Sequence, residues 1–270
     1  MKYKMFVSDY DGTLGKAPEN NVDSETLDAI NKFIAKGGIF VVCTGRETSS
    51  ITRICRESGL IGLIASFQGA RISDIESGEY LFDGGLDYQT ALKILDELEC
   101  EELIPVAYSG DVFFYNKRNK FIDIYQNAIR LEGIETDVKQ KIKTDKMNTS
   151  KICWLGEDEL VNKVADRMNK KYGGKTIKFN SGAKFLLEAI NPEHGKDSAV
   201  RFLAKHYGIP LNEIIAVGDS TNDIDLINGE WYGVAVGDGR EELKAVADEV
   251  TVPFKDKPVK VLLEKYCLND

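Results

Sequence analysis

The stretch FVSDYDGTLG, Phe6–Gly15, runs an apolar segment directly into two aspartates that are separated by one residue. Asp and Gly are depleted from strands, so the predicted strand ends at Asp9. Side chains two positions apart on an extended chain point to the same side, which brings the carboxylates of Asp9 and Asp11 close enough to repel. The arrangement therefore requires a compensating interaction from elsewhere in the chain.

Composition narrows the class of protein. The chain has 270 residues, 43% hydrophobic and 29% charged content, as in an ordinary globular protein of one or two domains. Its net charge of -9 argues against partners that are nucleic acids or anionic membranes. No apolar run is long enough to span a bilayer, and the start lacks the apolar region of a signal peptide. We therefore expect a cytoplasmic protein, and the sequence leaves open whether it is a monomer or homodimer.

The cysteines agree with that location. There are five, without CxxC spacing, which predicts reduced thiols rather than a disulfide framework. They are Cys43, Cys55, Cys100, Cys153 and Cys267.

Short apolar runs alternate with helical patterns at both ends of the chain. The predicted strands are residues 4–8, 39–43, 63–66, 214–218 and 232–237. Continuous apolar runs suit strands that are covered on both faces, and their alternation with helices is typical of a parallel sheet. The pattern predicts an α/β fold class with a Rossmann-like, doubly wound parallel sheet as its core.

The middle of the chain has a different pattern. Residues 103–117 and 176–190 each read as a hairpin, with turns at Ser109-Gly110-Asp111 and at Ser181-Gly182, and helical segments lie between them. This indicates an inserted α+β cap domain. We predict a core formed by residues 1–82 and 189–270, and a cap formed by residues 83–188.

Polar clusters follow the predicted core strands. They are Asp9/Asp11, Thr44-Gly45-Arg46, the Gly195-Lys196 region and GDSTND from Gly218 to Asp223. In open parallel sheets, ligands bind outside the carboxyl ends of the strands. Oxygen-rich ligands together with one lysine suit Mg²⁺ and a phosphate group.

These motifs resemble the four signatures of the haloacid dehalogenase superfamily of phosphohydrolases, in order and over the whole chain. DYDGT resembles DxDGT, CTGR the second motif, Lys196 the third, and GDSTND resembles GDxxND. The insertion after the second motif is similar to that of the Cof-like branch with a C2-type cap. The resemblance implies a Mg²⁺-dependent phosphatase of small phosphorylated metabolites, above all sugar phosphates, with a cap that closes over the core.

The resemblance also implies a role for each matching residue. Asp9 is expected as the nucleophile and Asp11 as the general acid–base. Mg²⁺ is expected on the side chains of Asp9 and Asp219 and on the backbone carbonyl of Asp11. Further roles are assigned to groups around them: Thr44, Gly45, Arg46 and Lys196 as phosphate-binding residues, with Thr44 and Lys196 also catalytic, and Asn222 and Asp223 as residues that orient the metal site.

Other interpretations remain open at this point. A phosphomutase or phosphotransferase shares Asp9 and Asp11, and a non-catalytic binding protein shares the fold. Arg46 fits a structural salt bridge as well as a site role, and Cys43 fits a buried apolar position better than a nucleophile. His194 and His206, the only histidines, suit surface or hinge positions.

The chain departs from the usual family pattern at three places. Gln68 stands where relatives often have Asn, Asp238-Gly239 stands for Asn-Ala, and KDKPVK, residues 255–260, replaces Asp-Gly-Val. None of these changes removes a group with an expected catalytic role.

Overall fold

The computed structural model describes residues 1–16, 21–99, 101–110, 112–129, 131–173 and 176–268, with the backbone alone at 182 and 183. Cys100 and Asp111, named above, lie outside the described residues. The chain forms two compact units, residues 1–82 with 195–270 and residues 83–194. No helix within the described ranges has the length and apolar character needed to cross a membrane.

The first unit is built on an eight-stranded sheet of order β14-β13-β12-β1-β2-β3-β4-β5. Its strands are β1 Met5–Ser8, β2 Ile39–Cys43, β3 Leu63–Ser66, β4 Arg71–Asp74, β5 Tyr80–Asp83, β12 Ile214–Gly218, β13 Tyr232–Ala235 and β14 Glu249–Val250. The pairs from β14 to β3 are parallel, and β4 joins antiparallel to β3. The hairpin strands β4 and β5 and the edge strand β14 were not predicted from the sequence.

Helices cover both faces of this sheet. They are α1 Ser24–Ala35, α2 Thr48–Glu57, α7 Lys196–Tyr207, α8 Ile224–Ile227, α9 Glu241–Lys244 and α10 Pro258–Leu263. Along β1, Phe6 packs in one apolar cluster with Ile30 of α1, whereas Met5 and Val7 pack in another cluster with Leu203 of α7. The alternation follows from the period of two in a strand, and it confirms the doubly wound α/β class.

The second unit has a six-stranded sheet of order β10-β11-β9-β6-β7-β8. Its strands are β6 Ile104–Ser109, β7 Val112–Tyr115, β8 Ile134–Glu135, β9 Ile152–Leu155, β10 Lys178–Ala183 and β11 Leu186–Ile190, and its helices are α3 Tyr88–Glu97, α4 Lys120–Ile129, α5 Val138–Asp145 and α6 Asp158–Tyr172. All pairs are antiparallel except β7 with β8. This is the α+β architecture expected for the insertion.

Two boundaries differ from the sequence prediction. The turn of the second hairpin lies between β10 and β11 at Lys184-Phe185, not at Ser181-Gly182, because β10 continues through a register shift between Asn180 and Ala183. The second unit ends at His194 rather than at residue 188. The last residues of this unit contact the rest of it, since β11 pairs with β9 and His194 Nδ1 accepts the amide N–H of Gly85 at 3.0 Å.

Candidate active site

Asp9, Asp219 and Asp223 meet at the carboxyl edge of the first sheet. Asp9 follows β1 and Asp219 follows β12, its parallel neighbour. One carboxylate oxygen from each of the three residues lies within 4.8 Å of the others. The topology therefore brings Asp9 of the first sequence motif to the two aspartates of the last one, and Asp11 is not part of this cluster.

Lys196 supplies the positive charge within this cluster, where it pairs with Asp9 and Asp223, whereas Asp11 pairs with Arg46. Lys196 is the first residue of α7, and its Nζ donates to Asp9 Oδ1 at 2.7 Å and to Asp223 Oδ1 at 2.5 Å. Its side chain is 1% exposed. Burial by itself lowers the pKa of Lys196, but Asp223 and Asp9 outweigh burial and raise that pKa above its ordinary value. The amine is therefore an ammonium at neutral pH.

Asp223 has both carboxylate oxygens engaged by the protein. Oδ1 accepts from Lys196, and Oδ2 accepts the backbone N–H groups of Asp219 at 3.1 Å and of Ser220 at 3.0 Å. With the Ser220 side chain it forms a capping box over the turn that follows β12. These bonds orient Asp219 and Lys196 and leave Asp223 suited to support rather than to direct metal binding.

The cluster carries more negative than positive charge. Burial, with the charge of Asp223, raises the pKa of Asp9 to about 8 even though Lys196 opposes the rise. Burial and Asp223 likewise raise the pKa of Asp219 to about 6. Bringing a divalent cation to these hard oxygen ligands would favour both ionised forms, so the residues fit Mg²⁺.

Gly12 and Thr13 shape the approach to Asp219, although sequence reasoning assigned them no role. Gly12 has φ +91°, and a Cβ there would lie 2.6 Å from Asp219 Oδ2. Thr13 Oγ1 donates to Asp219 Oδ1 at 3.4 Å. The signal was the Gly-Thr that follows Asp11 in the opening motif, but only the fold shows that it faces Asp219.

Asp11 and Arg46 form a bidentate ion pair at this edge. Arg46 Nε donates to Asp11 Oδ2 at 2.7 Å, and Arg46 Nη2 donates to Asp11 Oδ1 at 2.6 Å. The Arg46 guanidinium also lies 5.1 Å from the centroid of the Tyr10 ring. The salt-bridge and site interpretations of Arg46 therefore describe the same contact, since its partner is a residue of the opening motif.

The loop after β2 lies beside the cluster. Thr44 is buried, and its Oγ1 accepts the backbone N–H of Arg46 at 3.2 Å. Cys43, the preceding residue, is fully buried, and burial raises its thiol pKa to about 12. Such a thiol stays protonated, in agreement with an apolar packing position rather than a nucleophile.

Some predicted residues lie outside these contacts. Asn222 is exposed, and the described residues supply no hydrogen bond to its side chain, so its orienting role stays a prediction.

Arg240 N–H donates to the carbonyl of Asp219 at 2.8 Å, and a Cβ on Gly239 would lie 2.7 Å from that oxygen. Asp238 Oδ1 accepts from Phe254 N–H at 2.8 Å. At this departure, Gly239 leaves room for the carbonyl of Asp219, and Asp238 holds the chain at Phe254.

The chain is similar in sequence and in fold to known proteins. The family model of the haloacid dehalogenase-like hydrolases matches residues 6–262. Phosphatase YwpJ of Bacillus subtilis is 26% identical over 271 residues, covering 92% of this chain and 94% of its own. The 5-amino-6-(5-phospho-D-ribitylamino)uracil phosphatase YitU, also of B. subtilis, is 23% identical over 262 residues, covering 96% and 95%. The crystal structure of TM0651 from Thermotoga maritima superposes with a TM-score of 0.86, at 23% identity, over 99% of this chain and 100% of that one.

Proposed function

This chain belongs to the haloacid dehalogenase-like hydrolase family, and from that premise we propose that it is a Mg²⁺-dependent phosphatase of sugar phosphates and related metabolites. Its reaction class is that of a phosphatase, as in YwpJ and YitU. The observation that carries the proposal is the buried Asp9 carboxylate, held by an ammonium 2.7 Å away beside two further carboxylates.

The first chemical step forms an aspartyl-phosphate. An oxygen of Asp9 attacks phosphorus, and the bond from phosphorus to the leaving-group oxygen breaks. Lys196 offsets charge on the nucleophile and on the phosphoryl group, while Thr44 and the Gly45 amide donate to phosphoryl oxygens. Asp11 gives its proton to the departing alkoxide.

The second step returns the enzyme to its starting state. Asp11, now ionised, takes a proton from a water molecule that attacks the phosphorus of the aspartyl-phosphate. The acyl phosphate bond breaks, inorganic phosphate leaves, and Asp9 is a carboxylate again. For the first step Asp11 must carry a proton, so its ion pair with Arg46 has to open during the cycle.

The side chains of Asp9 and Asp219 and the backbone carbonyl of Asp11 would hold Mg²⁺. The bound ion would supply positive charge that offsets the carboxylates and the phosphate group. Asp223 fixes the position of Asp219 through its backbone amide, at 3.1 Å from Oδ2.

The substrate class is proposed from the resemblance and from relatives. YitU acts, by its name, on a uracil that carries a 5-phospho-D-ribitylamino group. A phosphate group attached to a polyhydroxylated carbon chain is therefore the substrate type that we expect for this chain.

The test is phosphate release from a panel of sugar phosphates, nucleotides and phosphorylated cofactors. It is run with Mg²⁺, with chelator, and with an Asp9→Asn variant whose folding is checked by its thermal melt. We expect release that needs both Mg²⁺ and Asp9. Folded wild-type protein that releases no more phosphate than Asp9→Asn would refute the proposal, and an isomerised product with little free phosphate would indicate a phosphomutase instead.

A further inference from the structure

The loop after β3 contacts both segments that we assign to phosphate binding. Phe67 N–H donates to the carbonyl of Arg46 at 2.9 Å, and Gln68 N–H donates to the carbonyl of Thr44 at 2.8 Å. On its other side, a Cβ on Gly69 would lie 2.5 Å from the carbonyl oxygen of Gly195, the residue before Lys196. Residues 67–69 therefore lie between the Thr44-Gly45 loop and the start of α7.

This loop holds an unfavourable backbone conformation. Phe67 has φ 50° and Gln68 has φ 60°, so two successive residues with side chains occupy the left-handed region. That region is disfavoured for such residues, and it persists where surrounding contacts impose it. The hydrogen bonds to the Thr44–Arg46 segment and the close approach to Gly195 supply those contacts. Together they determine where the Gln68 side chain points.

The Gln68 carboxamide lies directly on Gly45. A Cβ built on Gly45 would be 2.5 Å from Gln68 Nε2 and 3.1 Å from its Cδ, so only glycine leaves room for the amide there. Gln68 Oε1 is buried and has no hydrogen-bond partner among the described residues. A buried acceptor without a partner is unfavourable, and a carboxamide offers both an acceptor and two donors.

We propose that Gln68 is a specificity-determining residue whose carboxamide hydrogen-bonds a hydroxyl group of the leaving group. The inference rests on the proposed function, because Gln68 lies on Gly45, whose amide we assign to the phosphoryl group. The hydroxyl oxygen accepts from Nε2, the end of the amide that lies over Gly45. Gln68 thus selects polyol and sugar phosphates over phosphate esters of plain alkyl chains.

The experiment compares two substrates of matched size, glycerol 3-phosphate and propyl phosphate, which share the phosphate ester and differ in their hydroxyl groups. Gln68→Met keeps the length of the side chain and removes the amide. We expect the ratio of kcat/KM for glycerol phosphate to kcat/KM for propyl phosphate to fall about tenfold, the effect of losing one buried hydrogen bond. Gln140→Met, the same change at an exposed position of α5, should leave the ratio unchanged.

Gln68→Asn is the second variant, because Asn tolerates the left-handed conformation and withdraws the amide by one methylene. We expect a smaller fall of the ratio, in a protein whose thermal melt matches that of the wild type. An unchanged ratio in both folded variants, or an equal loss for the two substrates, would overturn the role of Gln68 while the phosphatase function stands. Wild-type protein without Asp9-dependent release from either ester or from the wider panel would overturn both.

Discussion

Asp223→Asn tests whether the buried ion cluster is built as its contacts indicate. Asp223 Oδ1 accepts from the Lys196 ammonium, and Oδ2 accepts two backbone N–H groups. An asparagine has one acceptor oxygen, and its NH₂ group is only a donor. The side chain keeps nearly the same shape, but its NH₂ group must face donors in either orientation. It meets the Lys196 ammonium in one orientation and the two backbone N–H groups in the other.

The magnitude follows from the burial of the pair. Asp223 is 0% exposed, and removing one partner of a buried ion pair costs about 3–5 kcal/mol. Asp9 still contacts Lys196 at 2.7 Å in the variant, which favours the lower end of that range. We expect the free energy of unfolding of the first unit to fall by about 3 kcal/mol.

Trp231 reports on this unit. The chain has two tryptophans, Trp154 in the second unit and Trp231 in the first, so a Trp154→Phe background isolates the Trp231 signal. Urea unfolding is followed by its fluorescence in the presence of chelator. Asp28→Asn, the same chemical change at an exposed position of α1, is the control and should stay within about 0.5 kcal/mol of the background protein. If the two variants shift the unfolding curve equally, the reasoning about the ion cluster is wrong.

Further predictions concern the same site. Gly12→Ala puts a Cβ 2.6 Å from Asp219 Oδ2, so the Mg²⁺ concentration for half-maximal phosphate release should rise about tenfold or more, and an unchanged value would contradict that contact. Lys196→Met should lower kcat at least about a hundredfold in a protein that still melts cooperatively, and near-normal turnover would remove Lys196 from the mechanism. The pKa values of Asp9 and Asp219 are raised to about 8 and about 6, so the folded protein favours the protonated form of both groups. With chelator present, their contribution to the free energy of unfolding is therefore complete below about pH 4 and is lost as the pH rises to about 8. Adding Mg²⁺ should raise the melting temperature most at the upper end of that range, and an equal rise at pH 5 and pH 8 would count against these shifts.

The sequence was sufficient for the five central strands of the core sheet and for the family. Strands buried on both faces are continuous apolar runs, and polar clusters stand at their carboxyl ends, so the pattern is visible without contacts. The added strands β4 and β5 were missed because RISD and YLFD combine apolar residues with charged ones, and they form strands where β4 pairs with β3 and β5 with β4. The second hairpin was placed on the wrong turn because Ser-Gly is a turn dipeptide locally, whereas the pairing of β10 with β11 decides where the chain reverses.

By itself, the sequence determined which chemical groups the site contains. Carboxylates, a hydroxyl and a lysine recur after strands, and this is a local property of the chain. Only the tertiary structure decided which groups touch. Lys196 meets Asp9 across 187 positions, Arg46 is paired with Asp11, and Gln68 lies on Gly45. These contacts depend on directions and distances of a few ångströms between residues on different strands and loops, and no local pattern of residues encodes such distances.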